Sequence, residues 1–158
     1  MEAAVAARRD REVATLLRQN VTTQEGLIAD LGLAYRVLDL CDERGLFCSR
    51  ILSELGADVV HVEPPRGSAA RWSGRHAGPP DPERSITWWA MARGNRSVVL
   101  DLDDPAGRDQ FLDLVATADI VITSADPGTW EAQGLGYDEL AAVNPALVYV
   151  SLTAFGPD

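Results

Sequence analysis

Between Arg66 and Arg96 the chain carries six arginines against only Asp81 and Glu83, within a protein whose formal net charge is -10. Guanidinium forks bind planar oxyanions bidentately, so a positive island of this kind suits phosphate or carboxylate groups; scattered charge on a solvated loop is the plainer alternative. Other groups able to do chemistry are thinly spread. Asp39 falls inside an apolar run, where a buried acid would serve as a hydrogen-bond anchor for the loop that follows. His61 lies in a β-branched run and His76 in a Gly/Pro-rich stretch, settings in which a lone histidine is ordinarily structural or solvent-exposed, so neither is a catalytic candidate. No Ser/His/Asp grouping is evident. Cys41 and Cys48 fit neither a zinc site nor a CxxC redox pair and read as small, reduced apolar fillers. No metal site is expected.

Bulk composition narrows the class further. All 14 basic residues are arginine, yet acids outnumber them at 24, which argues against a nucleic-acid partner. A length of 158 residues, 46% hydrophobic and 24% charged, suits one globular domain or part of one. The first twenty residues include Arg8, Arg9, Asp10, Arg11 and Glu12 and have no apolar signal region, and no apolar run has membrane-spanning length. A soluble, cytoplasmic protein is expected, with no membrane association.

The elements that would position these residues follow from periodicity. Residues 1–20 read as a polar helix within an N-terminal helical extension over 1–32, and the domain proper occupies 33–158. Val37-Leu38-Asp39-Leu40 suits a buried strand. Leu46 to Leu55 has helical spacing, with Leu46, Phe47, Ile51, Leu52 and Leu55 expected on the buried face and Gly56 ending the helix. Val59 to Glu63 is a second strand, closed by Pro64-Pro65. A long loop from Gly67 to Pro82 precedes a helix over Ser85–Arg93 and a third strand over Ser97–Leu102. Asp104 as N-cap with Pro105 at the first helical position opens the next helix, whose buried face is Phe111, Leu112, Leu114, Val115 and Ala118. Asp119–Thr123, Tyr137–Val143 and Leu147–Thr153 read as strand, helix and strand. Such alternation implies an α/β, Rossmann-like fold with a mostly parallel sheet and flanking helices.

In open parallel sheets ligands bind beyond the carboxyl ends of the strands. Here that means the loops Cys41–Gly45, Pro64–Pro82, Ser124–Gly128 and Phe155–Asp158. Dinucleotide binding is the natural rival reading, with Glu63 placed where an acid would meet a ribose hydroxyl. The first turn argues against it: Cys41-Asp42-Glu43-Arg44-Gly45-Leu46 has one glycine and two carboxylates where a GxGxxG turn must approach a pyrophosphate. Glu63 is therefore expected to be a strand-end surface residue.

The run RVLDLCDERGLFCSRILSELGADVVHVEPPRG, followed in order by ARGNRSVVLDLDDPAGRDQFLDLVATADIVI and PGTWEAQGLGYDELAAVNPALVYVSLTAFG, resembles the opening of class III (CaiB/BaiF-type) CoA-transferases from Leu33 to Gly156. The resemblance implies the incomplete large domain of an interlocked homodimer that moves CoA from an acyl-CoA donor to a carboxylic acid acceptor. Coenzyme A or acyl-CoA would be a substrate, with no permanently bound cofactor. In that family an aspartate attacks the thioester, giving a mixed anhydride and then an enzyme-bound thioester; a carboxylate suits the task because its acyl adduct stays activated. The resemblance puts this aspartate beyond Asp158, which falls in the turn before the family's FGxxGP segment is complete. No catalytic residue is therefore assigned within the chain, which is expected to be inactive by itself.

CoA contacts implied by the resemblance fall on Arg66, Arg71, Arg93, Asn95, Arg96 and Ser124. Asn95 stands where the family commonly has a lysine, Thr123-Ser124-Ala125 where it often has Glu-Asn-Phe, and Ala132 where an arginine is common. These departures keep two alternatives open, a 2-methylacyl-CoA racemase-type fragment and a degenerate, non-catalytic scaffold half.

Overall fold

A computed structural model describes residues 35–154 and Gly156. The expected extension over 1–32, with its helix at 1–20, lies outside the described residues, as does most of the Phe155–Asp158 loop. Five strands form one sheet in the order β3-β2-β1-β4-β5: β1 (Arg36–Leu40), β2 (Asp58–Glu63), β3 (Arg96–Val99), β4 (Ile120–Thr123) and β5 (Val148–Ser151). Every pairing is parallel. The helices are α1 (Leu46–Glu54), α2 (Ile86–Met91), α3 (Pro105–Val115), α4 (Thr129–Ala132) and α5 (Tyr137–Val143). No described helix is long and apolar enough to cross a membrane.

Strand alternation sorts the core into two layers. Leu38, Val60, Val62 and Val121 pack with Phe111, Val115 and Leu140 from α3 and α5, while Val37, Val59 and Ile122 pack on the other side against Cys48 and Leu52 of α1. Burial on both faces explains why β1, β2 and β4 read as nearly continuous apolar runs. Leu46, Ala70 and Trp88 form a third cluster that ties α1, the long loop and α2 together.

Local signals set the helix ends. Asp104 accepts the Ala106 N–H at 3.0 Å and Pro105 follows at the first helical position. At the end of α1, Gly56 takes φ 94°. Its N–H bonds Ser53 O and that of Ala57 bonds Leu52 O, a Schellman closure.

The buried face of α1 differs from the expectation. Leu46, Ser49 and Ser53 are buried, whereas Phe47, Ile51 and Leu55 are 61%, 42% and 50% exposed. Two small serines take the tightest seats. Ser49 satisfies its hydroxyl on Leu46 O at 3.1 Å, and Ser53 fills the space that a side chain at Gly94 would need. The long loop is not featureless: two 3-10 turns, Ala69–Trp72 and Pro82–Arg84, fold it back beside α2.

Candidate functional site

A cavity of about 450 Å³ opens at the carboxyl ends of β1, β2 and β3. Cys41 and Asp42 from the first loop, Pro64 to Arg66 with Ser68 and Ala69 from the second, and Leu100 to Asp103 from the third line it, together with Trp130 of α4 and Gln133 at its end. The volume lies within the range of small-molecule sites. Its position follows from the parallel sheet, which delivers three strand ends to one edge.

The turn after β1 is pinned and does not form an open phosphate cradle. Asp42 accepts the Arg44 N–H and the Ser124 hydroxyl, its own N–H donates to Ser124 Oγ at 2.9 Å, and Arg44 also pairs with Asp126. Burial pushes the Asp42 carboxyl up, but the Arg44 side chain, the Arg44 N–H and Ser124 outweigh it and hold the group below the ordinary carboxylate range. An Asp42–Arg44 ion pair at 2.9 Å thus occupies the turn where a pyrophosphate would have to lie.

The outer wall is organised by Glu63. Contrary to the expectation of a surface residue, it is 2% exposed. Arg71 donates to it through Nε at 2.6 Å and a terminal nitrogen at 2.8 Å, the Ser68 N–H at 2.8 Å, and the Ser97 hydroxyl completes the set. Burial raises its pKa and these donors outweigh that effect, leaving it at about 2. Arg71 in turn lies 4.3 Å from the centre of the Trp88 ring, whose plane His61 meets edge-on.

Deeper still, Asp39 anchors the first loop as its sequence context implied, accepting the Cys41 N–H at 2.8 Å. His61 Nδ1 lies 2.9 Å from its other oxygen. Burial opposes ionisation of Asp39, yet His61 and the Cys41 N–H outweigh it and hold its pKa below the ordinary value. Cys41 is itself driven far up by burial and by the Asp39 charge, so its thiol stays protonated. No group of three or more His, Cys, Asp or Glu among the described residues could hold a metal ion.

The six candidate CoA contacts do not converge. Arg66 lines the cavity and is exposed. Ser124 is buried, reaching the cavity only through Asp42. Arg71 is committed to Glu63. Arg93, Asn95 and Arg96 lie at the opposite, amino end of the sheet. There Arg96 grips Asp58 at 2.6 Å, Arg93 is exposed in the turn before β3, and both amide atoms of Asn95 are buried with no hydrogen-bond partner among the described residues. Sequence reasoning missed Asp101, Asp103, Trp130 and Gln133. The strand-end rule would have found the two aspartates had it been applied to the loop before α3.

Strand order 3-2-1-4-5 with a cavity at the carboxyl edge defines an open, Rossmann-like α/β domain. The profile of CoA-transferase family III matches residues 34–158, and the chain belongs to that family. It is 39% identical over 113 residues to a succinyl-CoA–D-citramalate CoA-transferase of Chloroflexus aurantiacus, covering 71% of this chain and 27% of the relative. It is 40% identical over 123 residues to the "probable fatty acyl-CoA transferase Rv3272" of Mycobacterium tuberculosis, covering 77% and 31%. The crystal structure of Rv3272 superposes with a TM-score of 0.69 at 38% identity, covering 78% of this chain and 33% of that one. A CAIB/BAIF family protein from Brucella suis gives a TM-score of 0.69 at 37% identity over the same shares. The chain thus spans less than a third of the length of these curated relatives.

Proposed function

We propose that this chain supplies the CoA-binding part of a CoA-transferase that moves CoA from an acyl-CoA donor to a carboxylic acid. The observation that carries the reading is the cavity at the strand ends of a family III domain. The activities for which the relatives are named pair a CoA thioester with a carboxylic acid, in keeping with it. An aspartyl intermediate remains part of the proposal, with no residue of this chain assigned as its carboxylate. Within the chain, Arg66 at the cavity rim meets an anionic group of the ligand. Ser124 holds Asp42 and so shapes the first turn. Arg93, Asn95 and Arg96 form a second contact point at the amino end of the sheet, reached only by a ligand as long as CoA. Arg71 acts at one remove, by fixing Glu63 and the loop that bears Arg66. A homodimer in the cytoplasm completes the proposal.

The test is calorimetric titration of the protein with CoA and with succinyl-CoA, paired with intact mass measurement after incubation with succinyl-CoA. Saturable binding with no covalent adduct is expected. An acyl or CoA adduct on this chain would overturn the placement of the nucleophile. No binding of CoA, together with fluorescence enhancement of NADH, would replace the reading with dinucleotide binding.

A further inference from the structure

Behind the cavity wall, which His61 lines, lies a buried pair of titratable groups that the proposed function leaves unused. Asp39 and His61 are register partners on β1 and β2, so their side chains share one face of the sheet, and they are 0% and 1% exposed. An ionised carboxylate offers only lone pairs, so the proton between Asp39 and the imidazole resides on Nδ1. Trp88 holds the ring from the side, edge-to-face with centroids 5.0 Å apart. His61 borders the cavity, and no described residue hydrogen-bonds Nε2. On the cavity side the ring nitrogen is thus free to meet a ligand or solvent.

The lining selects the partner. Asp101 and Asp103 border the cavity, Arg66 is the cation on its lining among the described residues, and the charges of Asp42 and Glu63 are matched by Arg44 and Arg71. The excess of carboxylates repels phosphate, whereas carboxylates and a bare imidazole nitrogen all accept from N–H and O–H groups. Leu40, Pro64, Leu100 and Trp130 add apolar walls. We infer that Asp39 and His61 form a ligand-binding dyad whose Nε2 accepts a hydrogen bond from a neutral N–H or O–H group of the ligand. Asp39 acts as the positioning residue that fixes the tautomer. For its ligand the inference rests on the CoA reading. CoA carries such donors in two places, the adenine amino group and the amides and hydroxyl of the pantetheine arm.

The experiment labels the histidines with 15N and follows the His61 ring nitrogens through long-range proton–nitrogen spectra while adenosine, pantetheine, pyrophosphate or CoA is added. Before any addition, a proton on Nδ1 and none on Nε2 is expected. One neutral probe should then move the Nε2 signal saturably while pyrophosphate leaves it in place. Adenosine as the responder assigns the purine end, pantetheine the arm. A protonated Nε2 at neutral pH, silence towards both neutral probes, or an equal response to pyrophosphate would each overturn the inference. CoA separates the two readings. If it shifts backbone amides but not His61, the dyad fails and the proposed function stands; if a neutral probe moves Nε2 while CoA binds nowhere, the dyad stands and the CoA reading fails. His61→Gln, which keeps an amide donor for Asp39, should weaken the responding probe about tenfold, the worth of one good hydrogen bond. Unchanged affinity in that variant would also refute it.

Discussion

Replacing Arg71 with methionine keeps much of the apolar stem beside Trp88 and removes the guanidinium that balances Glu63. Glu63 would then be buried with only the Ser68 N–H and the Ser97 hydroxyl as donors. Removing one member of a buried ion pair costs about 3–5 kcal/mol, a large share of the roughly 5–15 kcal/mol that holds a domain together. The same contacts set an acid dependence. The Glu63 carboxyl sits at about 2 in the fold against 4.5 without these contacts. A group whose pKa is depressed on folding stabilises the fold fully above its unfolded value, and the contribution fades as pH falls from 4.5 towards 2. At 1.36 kcal/mol per unit it amounts to about 3 kcal/mol. Urea unfolding, followed by tryptophan fluorescence at pH 7 and in steps down to pH about 3, reads both effects. Arg71→Met should start about 3–5 kcal/mol below the parent at pH 7, and Glu63→Gln should lose the acid-dependent segment. The double variant should recover much of the single-variant loss. An Arg71→Met protein within about 1 kcal/mol of the parent, or a Glu63→Gln protein with unchanged acid sensitivity, would refute this account.

Three further outcomes follow from the packing. Gly107→Ala should destabilise the fold by about 1–3 kcal/mol in urea, because a methyl group there would overlap the Asp101 carbonyl oxygen; an unchanged midpoint would show that the loop before α3 yields freely. Native-state alkylation should reach half-buried Cys48 well before Cys41, which is 3% exposed with its thiol driven up by burial; equal labelling rates would contradict that. The exposed stripe of Phe47, Ile51 and Leu55 should make the protein self-associate, and Phe47→Glu with Ile51→Lys should relieve this without loss of stability. A sharp monomeric sedimentation profile for the parent chain would refute it.

Elements whose signals are local were legible in the sequence. The capped start of α3 at Asp104-Pro105, the glycine end of α1 at Gly56 and the span of α5 all appear as read, and the parallel α/β order follows from their alternation. Asp39 was legible as an anchor because an acid inside a buried strand must find donors nearby. What could not be read depended on partners distant in sequence. Glu63 looked like a surface acid because its burial is made possible by Arg71, delivered by a loop whose path no periodicity describes. The apolar residues of α1 suggested a core face, yet the buried seats fit serines that meet Leu46 O and Gly94. β3 ends at Val99 and not at Leu102 because Asp101 opens the turn that receives the Asp104 N–H. The candidate arginines formed a cluster only in sequence, since β3 carries Arg96 to the amino end of the sheet while Arg66 stands at the carboxyl end.

Hydrogen exchange with and without saturating CoA addresses the central claim, that the strand-end cavity of this family III domain is where CoA is held. Slowed exchange is expected in the loops at residues 41–45, 64–69 and 100–103, with a smaller effect at the turn containing Asn95. Unchanged exchange at those three loops, with protection confined to other parts of the chain or absent throughout, would contradict it.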